Sequence, residues 1–161
     1  SDLRQIVPHL QTVDLTAMIH DAISSCAHPE RIELDLPDHR PQIQTDPQLL
    51  SIVLNNLLEN ACKYAAQHSP ILIRLQPAEQ ETAAHWALEV ANEAGPAGWP
   101  DADKVFEKYY QSPHARRQTG SGLGLYLVRH LMHALGGLID YAPSQDRIRF
   151  ILYLPTSPLR T

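Results

Sequence analysis

Apolar residues recur with helical spacing in the first half of the chain. After Asp14, apolar side chains fall at positions i, i+3, i+4, i+7 and i+8, which predicts an amphipathic helix that ends near Cys26. Asp46 followed by Pro47 is typical of an N-cap and a first helical position, because aspartate accepts free backbone N–H groups and proline lacks one. The leucines and valine that follow predict a second, stronger helix that runs to about Ala66.

A third stripe of the same spacing begins after Gly120, and we expect Gly136 and Gly137 to end that helix. Shorter segments alternate apolar with polar side chains, as half-buried β-strands do. These segments are 31–36, 42–45, 71–75, 86–90, 138–141 and 148–154. The third and fourth segments are predicted to pair as neighbouring antiparallel strands, and the last two to form a hairpin.

Two ends and one long internal stretch have no regular pattern. Residues 1–13 show no clear period and contain a proline, so they are interpreted as a linker or the tail of a removed segment. Residues 156–161 are expected to fray, which leaves one domain at 14–155. Within it, residues 92–118 are punctuated by glycine and proline, and a loop of this length in a compact domain is usually functional.

The composition fits one globular domain. The chain has 161 residues, 43% of them apolar and 19% charged, and this length is sufficient to bury a core. Its net charge of -5 argues against a broad nucleic-acid surface. No apolar run approaches the ~20 residues that cross a bilayer and no signal sequence opens the chain, so no membrane contact is expected. Cys26 and Cys62 form no CxxC pair, and a reducing, cytoplasmic setting fits them best.

Polar residues that are weak helix formers interrupt the second helix. Asn56 and Asn60 are four residues apart on one face, and Lys63 and Tyr64 extend that face by a turn. A carboxamide oxygen is a hard ligand suited to a magnesium ion that carries phosphate oxygens, and a nearby lysine can neutralise those phosphates. An ordinary solvated helix face is the simpler explanation when this segment is considered alone.

Glycine is scarce, with 7 glycines against 13 prolines, and it is clustered. One cluster opens the third helix, where glycines let the backbone approach a phosphate and the helix N-terminus favours an anion. It consists of Gly120, Ser121, Gly122, Leu123, Gly124 and Leu125. A plain turn before a helix would explain this cluster equally well.

The end of the fourth predicted strand leads into a second glycine cluster. Asn92 stands at the strand end, and Gly95 and Gly98 would let the chain turn sharply under a flat ring that a polar side chain could hydrogen-bond. The long loop then contains an aromatic island at 105–110, which includes Phe106. Packing of these aromatic residues into the core is at least as good an explanation as contact with a ligand.

In this order, the four pieces resemble the N, first G, F and second G boxes of bacterial sensor histidine kinases. The runs LNNLLENACKYA at 54–65 and GSGLGLYLVRHLMHALGG at 120–137 carry the resemblance, which covers roughly 14–154. It implies a Bergerat-type α/β sandwich, in which a mixed, mainly antiparallel sheet packs on about three helices. DNA gyrase and heat-shock chaperone ATPases share this fold. The resemblance places ATP between the asparagine helix and the long loop, which acts as a lid.

The resemblance also implies roles for individual residues. Asn60 is the expected ligand of a magnesium ion (Mg2+) with Asn56 beside it, Lys63 contacts phosphate, and Tyr64 lies on the adenine side. The full expected set of ATP-contacting residues is Asn56, Asn60, Lys63, Tyr64, Asn92, Gly95, Gly98, Phe106, Gly120, Ser121, Gly122, Leu123, Gly124 and Leu125. Of these, Asn56, Asn60 and Lys63 are the expected catalytic group.

The implied reaction is transfer of the γ-phosphoryl group of ATP to a histidine. That histidine would lie on a dimerisation and histidine phosphotransfer domain of the same kinase, and a response regulator would then receive the phosphate. ATP-hydrolysing relatives carry a glutamate as base at the position of Asn56. Because asparagine cannot accept a proton, phosphotransfer is favoured over hydrolysis. The resemblance is compatible with a membrane-anchored parent protein.

The chain departs from the family pattern at three points. Asn92 replaces the usual aspartate, with a widened Gly95 to Gly98 spacing, and Glu93 could substitute for it with a shifted loop. Gln111 replaces an arginine, whose charge Arg116, Arg117 or Lys108 could supply. The third departure is the lack of a phosphoacceptor-histidine motif anywhere in the sequence. Two alternatives stay open: a degenerate nucleotide-sensing or scaffolding module with weak or no ATP binding, and an ATP-hydrolysing relative.

Overall fold

A computed structural model describes residues 5–80, 83–110 and 124–157 of the chain. Its strands are β1 Gln11–Asp14, β2 Ile32–Asp35, β3 Gln42–Thr45, β4 Ile71–Gln80, β5 Ala83–Glu93, β6 Leu138–Tyr141 and β7 Arg147–Pro155. Its α-helices are α1 Leu15–Ser25, α2 Pro47–Tyr64 and α3 Gly124–Ala134, and a 3-10 turn spans Pro29–Arg31.

Five strands form one mixed sheet in the order β2-β4-β5-β7-β6. β2 pairs with β4 in parallel, and the other neighbours pair antiparallel. Alternate side chains of the central strands, such as Leu88 and Leu152, are fully buried in the core that the sheet shares with the helices. The structure is a two-layer α/β sandwich, which confirms the predicted fold class.

The predicted helix starts are confirmed. The Asp14 carboxylate accepts the backbone N–H of Ala17 at 3.1 Å and caps α1. One oxygen of Asp46 accepts the N–H groups of Gln48 and Leu49 and caps α2, while its other oxygen accepts the N–H of His9 at 2.9 Å. Asp46 therefore fixes the start of the site-bearing helix and ties the preceding chain to it.

The predicted end of the third helix is also confirmed. α3 stops at Ala134, and Gly136 follows in a left-handed conformation with φ of 78°. At Gly137 a β-carbon would lie 2.3 Å from the carbonyl oxygen of Tyr153, so only glycine lets the chain pass β7 here. The antiparallel β4–β5 pair and the β6–β7 hairpin form as expected, and β4 and β5 are longer than predicted.

The interpretation of residues 1–13 as a featureless linker is wrong at its end. Gln11–Asp14 forms β1, which pairs antiparallel with β3 and brings buried Val13 opposite buried Ile43. This pairing spans about thirty residues of sequence, and one buried position in β1 is too few to reveal a strand period.

The expectation that the tail frays from residue 156 is wrong at Thr156. Its carbonyl oxygen accepts the N–H of Gln44 at 3.0 Å, and its own N–H donates to Ala84 at 3.3 Å. Residues 158–161 lie outside the described residues. The domain limits of 14 and 155 stay a prediction.

Candidate functional site

A cavity of about 780 Å³ opens along the outward face of α2. Its walls are α2, the first turn of α3, part of the segment 105–110 and the chain that follows α1. The lining residues are Ser25, Cys26, Ala27, His28, Asn55, Asn56, Leu58, Glu59, Asn60, Cys62, Lys63, Tyr64, Val105, Tyr110, Gly124 and Leu125. Six residues of the predicted site therefore meet in one cavity of ligand-binding size: Asn56, Asn60, Lys63, Tyr64, Gly124 and Leu125.

The carboxamide of Asn56 is held in one orientation. Its nitrogen donates to the backbone carbonyl of Ile52 at 2.8 Å, one helical turn earlier. Its oxygen faces Gly124, where a β-carbon would stand 3.1 Å away. Asn56 thus presents an acceptor toward the start of α3, and the glycine keeps the space beside that acceptor clear.

Asn60 lies one turn further along the same face of α2 and is half-buried. Within the described ranges its side chain has no hydrogen-bond partner, so both its oxygen and its nitrogen are available to a ligand. The chemistry of the two carboxamides suits a hard cation or a phosphate group.

Lys63 is the lysine of the cavity lining. Burial lowers the pKa of its ammonium group, because desolvation disfavours the charged form. In the part of the chain that the structure describes, no carboxylate forms an ion pair with it. A half-buried cation without a protein partner is a natural binding point for an anion.

The aromatic part of the lining consists of Tyr64, Val105 and Tyr110. Tyr64 and Val105 are almost fully buried, with 3% and 1% of their surface exposed. The Tyr110 hydroxyl accepts the backbone N–H of Asp101 at 2.8 Å, which fixes the ring, and burial raises the pKa of this phenol. The cavity lining therefore combines apolar and aromatic side chains with a lysine and two carboxamides.

Sequence reasoning did not assign Val105 and Tyr110 to the site. Both belong to the aromatic island that the sequence singled out, so the signal was present but pointed to Phe106 instead. The cavity wall near α1 was missed as well, because no motif marks it. That wall includes Cys26, Cys62 and His28.

Phe106 is placed beside the cavity lining rather than in it. Its ring meets Phe150 edge-on at 6.2 Å and carries the guanidinium of Arg129 over its face at 5.7 Å. In this arrangement the ring anchors the segment 101–110 to the sheet and to α3.

Gly95 and Gly98 also lie outside the cavity lining. A β-carbon on Gly95 would stand 2.4 Å from the carbonyl oxygen of Ala65, and the Gly95 N–H donates to the carbonyl of Tyr64 at 2.8 Å. Gly98 closes a turn onto Gly95 at 3.0 Å and has φ of 77°. Gly95 thus joins the end of β5 to the end of α2, where its partner Tyr64 lines the cavity.

Asn92 is buried, with 3% of its surface exposed, and is not a lining residue. Its side-chain nitrogen donates to the carbonyl of Glu93 at 2.9 Å. The remaining predicted site residues, Gly120, Ser121, Gly122 and Leu123, lie outside the described residues, as does Gln111.

The family model of histidine kinase-, DNA gyrase B- and HSP90-like ATPases matches residues 45–158. This match covers more than half of the chain and contains the whole of the cavity-bearing helix α2. The chain belongs to this family of ATPases.

Its relatives include sensor histidine kinases. CusS of Escherichia coli strain K12 is 26% identical over 160 residues, which cover 96% of this chain and 32% of that protein. ZraS of the same strain is 30% identical over 157 residues, which cover 94% of this chain and 32% of that protein. The chain thus spans about a third of the length of these relatives.

Solved structures of histidine kinases have a similar fold. The mycobacterial sensor histidine kinase MprB is 26% identical with a TM-score of 0.75, covering 92% of this chain and 100% of that one. The nucleotide-free catalytic domain of histidine kinase ThkA is 21% identical with a TM-score of 0.71, covering 93% and 97% of the two chains, and it shows the likeness of fold alone. Among the described residues, no helix is both long and apolar enough to cross a membrane.

Proposed function

We propose that this chain is the ATP-binding catalytic domain of a sensor histidine kinase. It transfers the γ-phosphoryl group of ATP to a histidine on the dimerisation domain of the same kinase, in the cytoplasm, for relay to a response regulator. The observation that carries this proposal is the convergence of Asn56, Asn60 and Lys63 in one cavity that Tyr64, Val105 and Tyr110 also line. Similarity to sensor histidine kinases along nearly the whole chain supports it.

The two kinds of lining residue suit the two parts of ATP. Tyr64, Val105 and Tyr110 would offer an apolar surface for a flat base, whose burial there is favourable. Lys63 and the first turn of α3 would bind the triphosphate, because both favour negative charge. Asn92 stays the proposed hydrogen-bond acceptor for the base, as the family resemblance implies.

The residues present also fit a magnesium ion. Asn60 has an unpartnered carboxamide among the described residues, and the Asn56 oxygen is kept accessible by the missing β-carbon of Gly124. These two side chains would hold the ion together with phosphate oxygens. When bound, magnesium neutralises charge on the phosphates and polarises the phosphoryl group that is transferred.

The chain's own residues favour transfer over hydrolysis. By the family resemblance, Asn56 occupies the position of the water-activating base. Its side-chain nitrogen donates a hydrogen bond to the carbonyl of Ile52, which orients the carboxamide. A carboxamide is not basic enough to take a proton from water. Lys63 stabilises the charge that develops on the phosphates. Catalysis then rests on positioning and electrostatics, while the nucleophile is supplied from outside the chain.

Calorimetric titration with MgATP tests the nucleotide site. We expect binding by the wild-type domain and a loss of about tenfold in affinity for Lys63→Gln, which removes one charge-assisted contact. Lys104→Gln is the matched control, because Lys104 is exposed outside the cavity lining and its loss should leave affinity unchanged.

Incubation of the full-length parent kinase with γ-labelled ATP tests the reaction. We expect an acid-labile, alkali-stable label on histidine. MgATP binding without such a label would favour the nucleotide-sensing alternative, and steady ATP turnover without any acceptor would favour the hydrolysing one. Absence of binding by the wild type would overturn the nucleotide site itself.

A further inference from the structure

The Arg31 side chain, from the 3-10 turn before β2, clamps the backbone turn that follows α2. Its Nε donates to the carbonyl of Ser69 at 3.2 Å, and its Nη2 donates to the carbonyls of Ser69 and Ala66 at 3.0 and 3.1 Å. Arg31 does not line the cavity. It therefore satisfies carbonyl groups at both ends of one short turn, which a planar guanidinium can do and a single ammonium group cannot.

The clamped turn contains an unfavourable backbone conformation. His68, inside the turn, has φ of 66°, a left-handed conformation that residues other than glycine adopt at a cost. The Ser69 N–H and hydroxyl also bond to Ala66, at 3.1 and 2.6 Å. Histidine adopts a left-handed backbone more often than most residues, and these contacts hold His68 in it.

The turn follows closely after Tyr64, which ends α2 and belongs to the aromatic part of the cavity lining. The Ala66 N–H donates to Glu93 at 2.9 Å, and the Tyr64 carbonyl accepts the N–H of Gly95 at 2.8 Å. The backbone from Tyr64 to Ala66 is thus held between the end of β5 on one side and Arg31 on the other. The backbone next to the buried Tyr64 is therefore bonded to both segments.

We propose that Arg31 is a positioning residue for the base-binding end of the nucleotide site. Its hydrogen bonds fix the turn at 66–69 and, through the shared backbone, hold Tyr64 in place before a ligand arrives. Preorganisation of this kind raises affinity because the ligand does not have to order the wall itself. The inference rests on the proposed function, because it assigns Arg31 to one part of that site.

Adenosine and MgATP share a base, but only MgATP carries phosphate. Comparing their affinities therefore separates an effect on base binding from an effect on phosphate binding. We expect Arg31→Gln to weaken the binding of adenosine and of MgATP by a similar factor of about tenfold, because the ligand would then have to order roughly one residue of the turn itself. NMR titration detects the weaker ligand. Lys63→Gln should weaken MgATP only. Arg74→Gln removes an exposed arginine paired with Asp35 on the sheet, at 2.9 Å, and should change neither affinity.

A rescue experiment tests the clamp directly. Glycine adopts a positive φ without cost, so adding His68→Gly to Arg31→Gln should recover part of both affinities. Arg31→Lys keeps the charge but not the two-ended geometry, and we expect it to behave like Arg31→Gln. If Arg31→Gln proves too unstable to titrate, Arg31→Lys and the double variant give the same comparison.

The inference and the proposed function fail in different ways. Unchanged adenosine binding by a folded Arg31→Gln or Arg31→Lys variant would overturn the inference and leave the nucleotide site intact. Loss of MgATP binding alone would also overturn it, because that result indicates a long-range charge effect. A wild-type domain that binds neither ligand would overturn the proposed function, and the inference with it.

Discussion

The carboxamide oxygen of Asn56 faces Gly124 across the junction of α2 and α3, so closely that a β-carbon on the glycine would lie 3.1 Å from it. Two motifs separated by more than sixty residues of sequence thus meet at this contact. A methyl group on residue 124 would fit only if the asparagine carboxamide moved by a few tenths of an ångström.

Gly124→Ala should therefore separate binding from stability. Alanine favours helix over glycine by about 0.5–1 kcal/mol, so we expect the free energy of unfolding in urea to stay equal or rise slightly. The added methyl group pushes the Asn56 carboxamide by a few tenths of an ångström, and we expect MgATP affinity to fall by roughly threefold to tenfold. Unchanged affinity by calorimetry would show that the Asn56 oxygen does not contact the ligand.

Gly95→Ala should instead destabilise the whole domain. The new β-carbon would meet the backbone of Ala65 at 2.4 Å, and a backbone atom cannot move aside cheaply. We expect a loss of about 2–4 kcal/mol in the free energy of unfolding, as for other severe overpacking.

Gly98→Ala is the comparison for that variant. It meets only the penalty of a positive φ, about 1 kcal/mol. Equal losses for the two variants would contradict the close approach of Gly95 to α2.

Lys63 should make nucleotide affinity fall as pH rises. Burial holds the pKa of its ammonium group below the usual 10.5 in the free domain, and bound phosphate favours the charged form and raises that pKa. Affinity is then full below the pKa of the free domain and declines as pH rises through it, up to the pKa of the complex.

Calorimetry in buffers of different ionisation enthalpy measures the corresponding proton uptake at alkaline pH. Lys63→Arg should remove most of this pH dependence, because arginine stays protonated throughout the range. A pH profile that is the same for lysine and arginine would exclude Lys63 as its cause.

Asn92→Asp tests the departure from the family pattern at the end of β5. A carboxylate at a site with 3% exposure is poorly solvated, so we expect the ligand-free variant to lose stability at neutral pH and to regain it as the pH falls. If residue 92 accepts a hydrogen bond from the base, the charge should strengthen MgATP binding by about 1 kcal/mol, or roughly fivefold.

The wild type decides how that gain is interpreted. Micromolar binding by the wild type supports an active site with asparagine as acceptor. Binding that occurs only in the aspartate variant would show that the natural site is degenerate.

Local sequence was sufficient to predict those parts of the fold whose sequence pattern lies within a single helix or strand. The Asp46–Pro47 start of α2 and the apolar stripe behind it predicted a long helix, and the structure confirms it. The placement of Asn56, Asn60, Lys63 and Tyr64 on one cavity wall follows from the same helical period.

Contacts between distant segments could not be predicted in this way. β1 exists because Val13 meets Ile43, and Arg31 acts on a turn 35 residues later in the sequence. Gly95 was expected to let the chain turn sharply under a flat ring, and the structure shows its close approach to the backbone of Ala65. In each of these cases the partner lies in a distant segment of the sequence, which only the tertiary structure identifies.

Gln44 in β3 lies beside both extremes of the described fold. It is the register partner of Thr12 on one side and donates its N–H to Thr156 on the other. β3 therefore carries β1 along one edge and the residue after β7 along the other, so one short strand holds two segments that are more than 140 residues apart in sequence. A substitution that disrupts β3 would act on both segments at once.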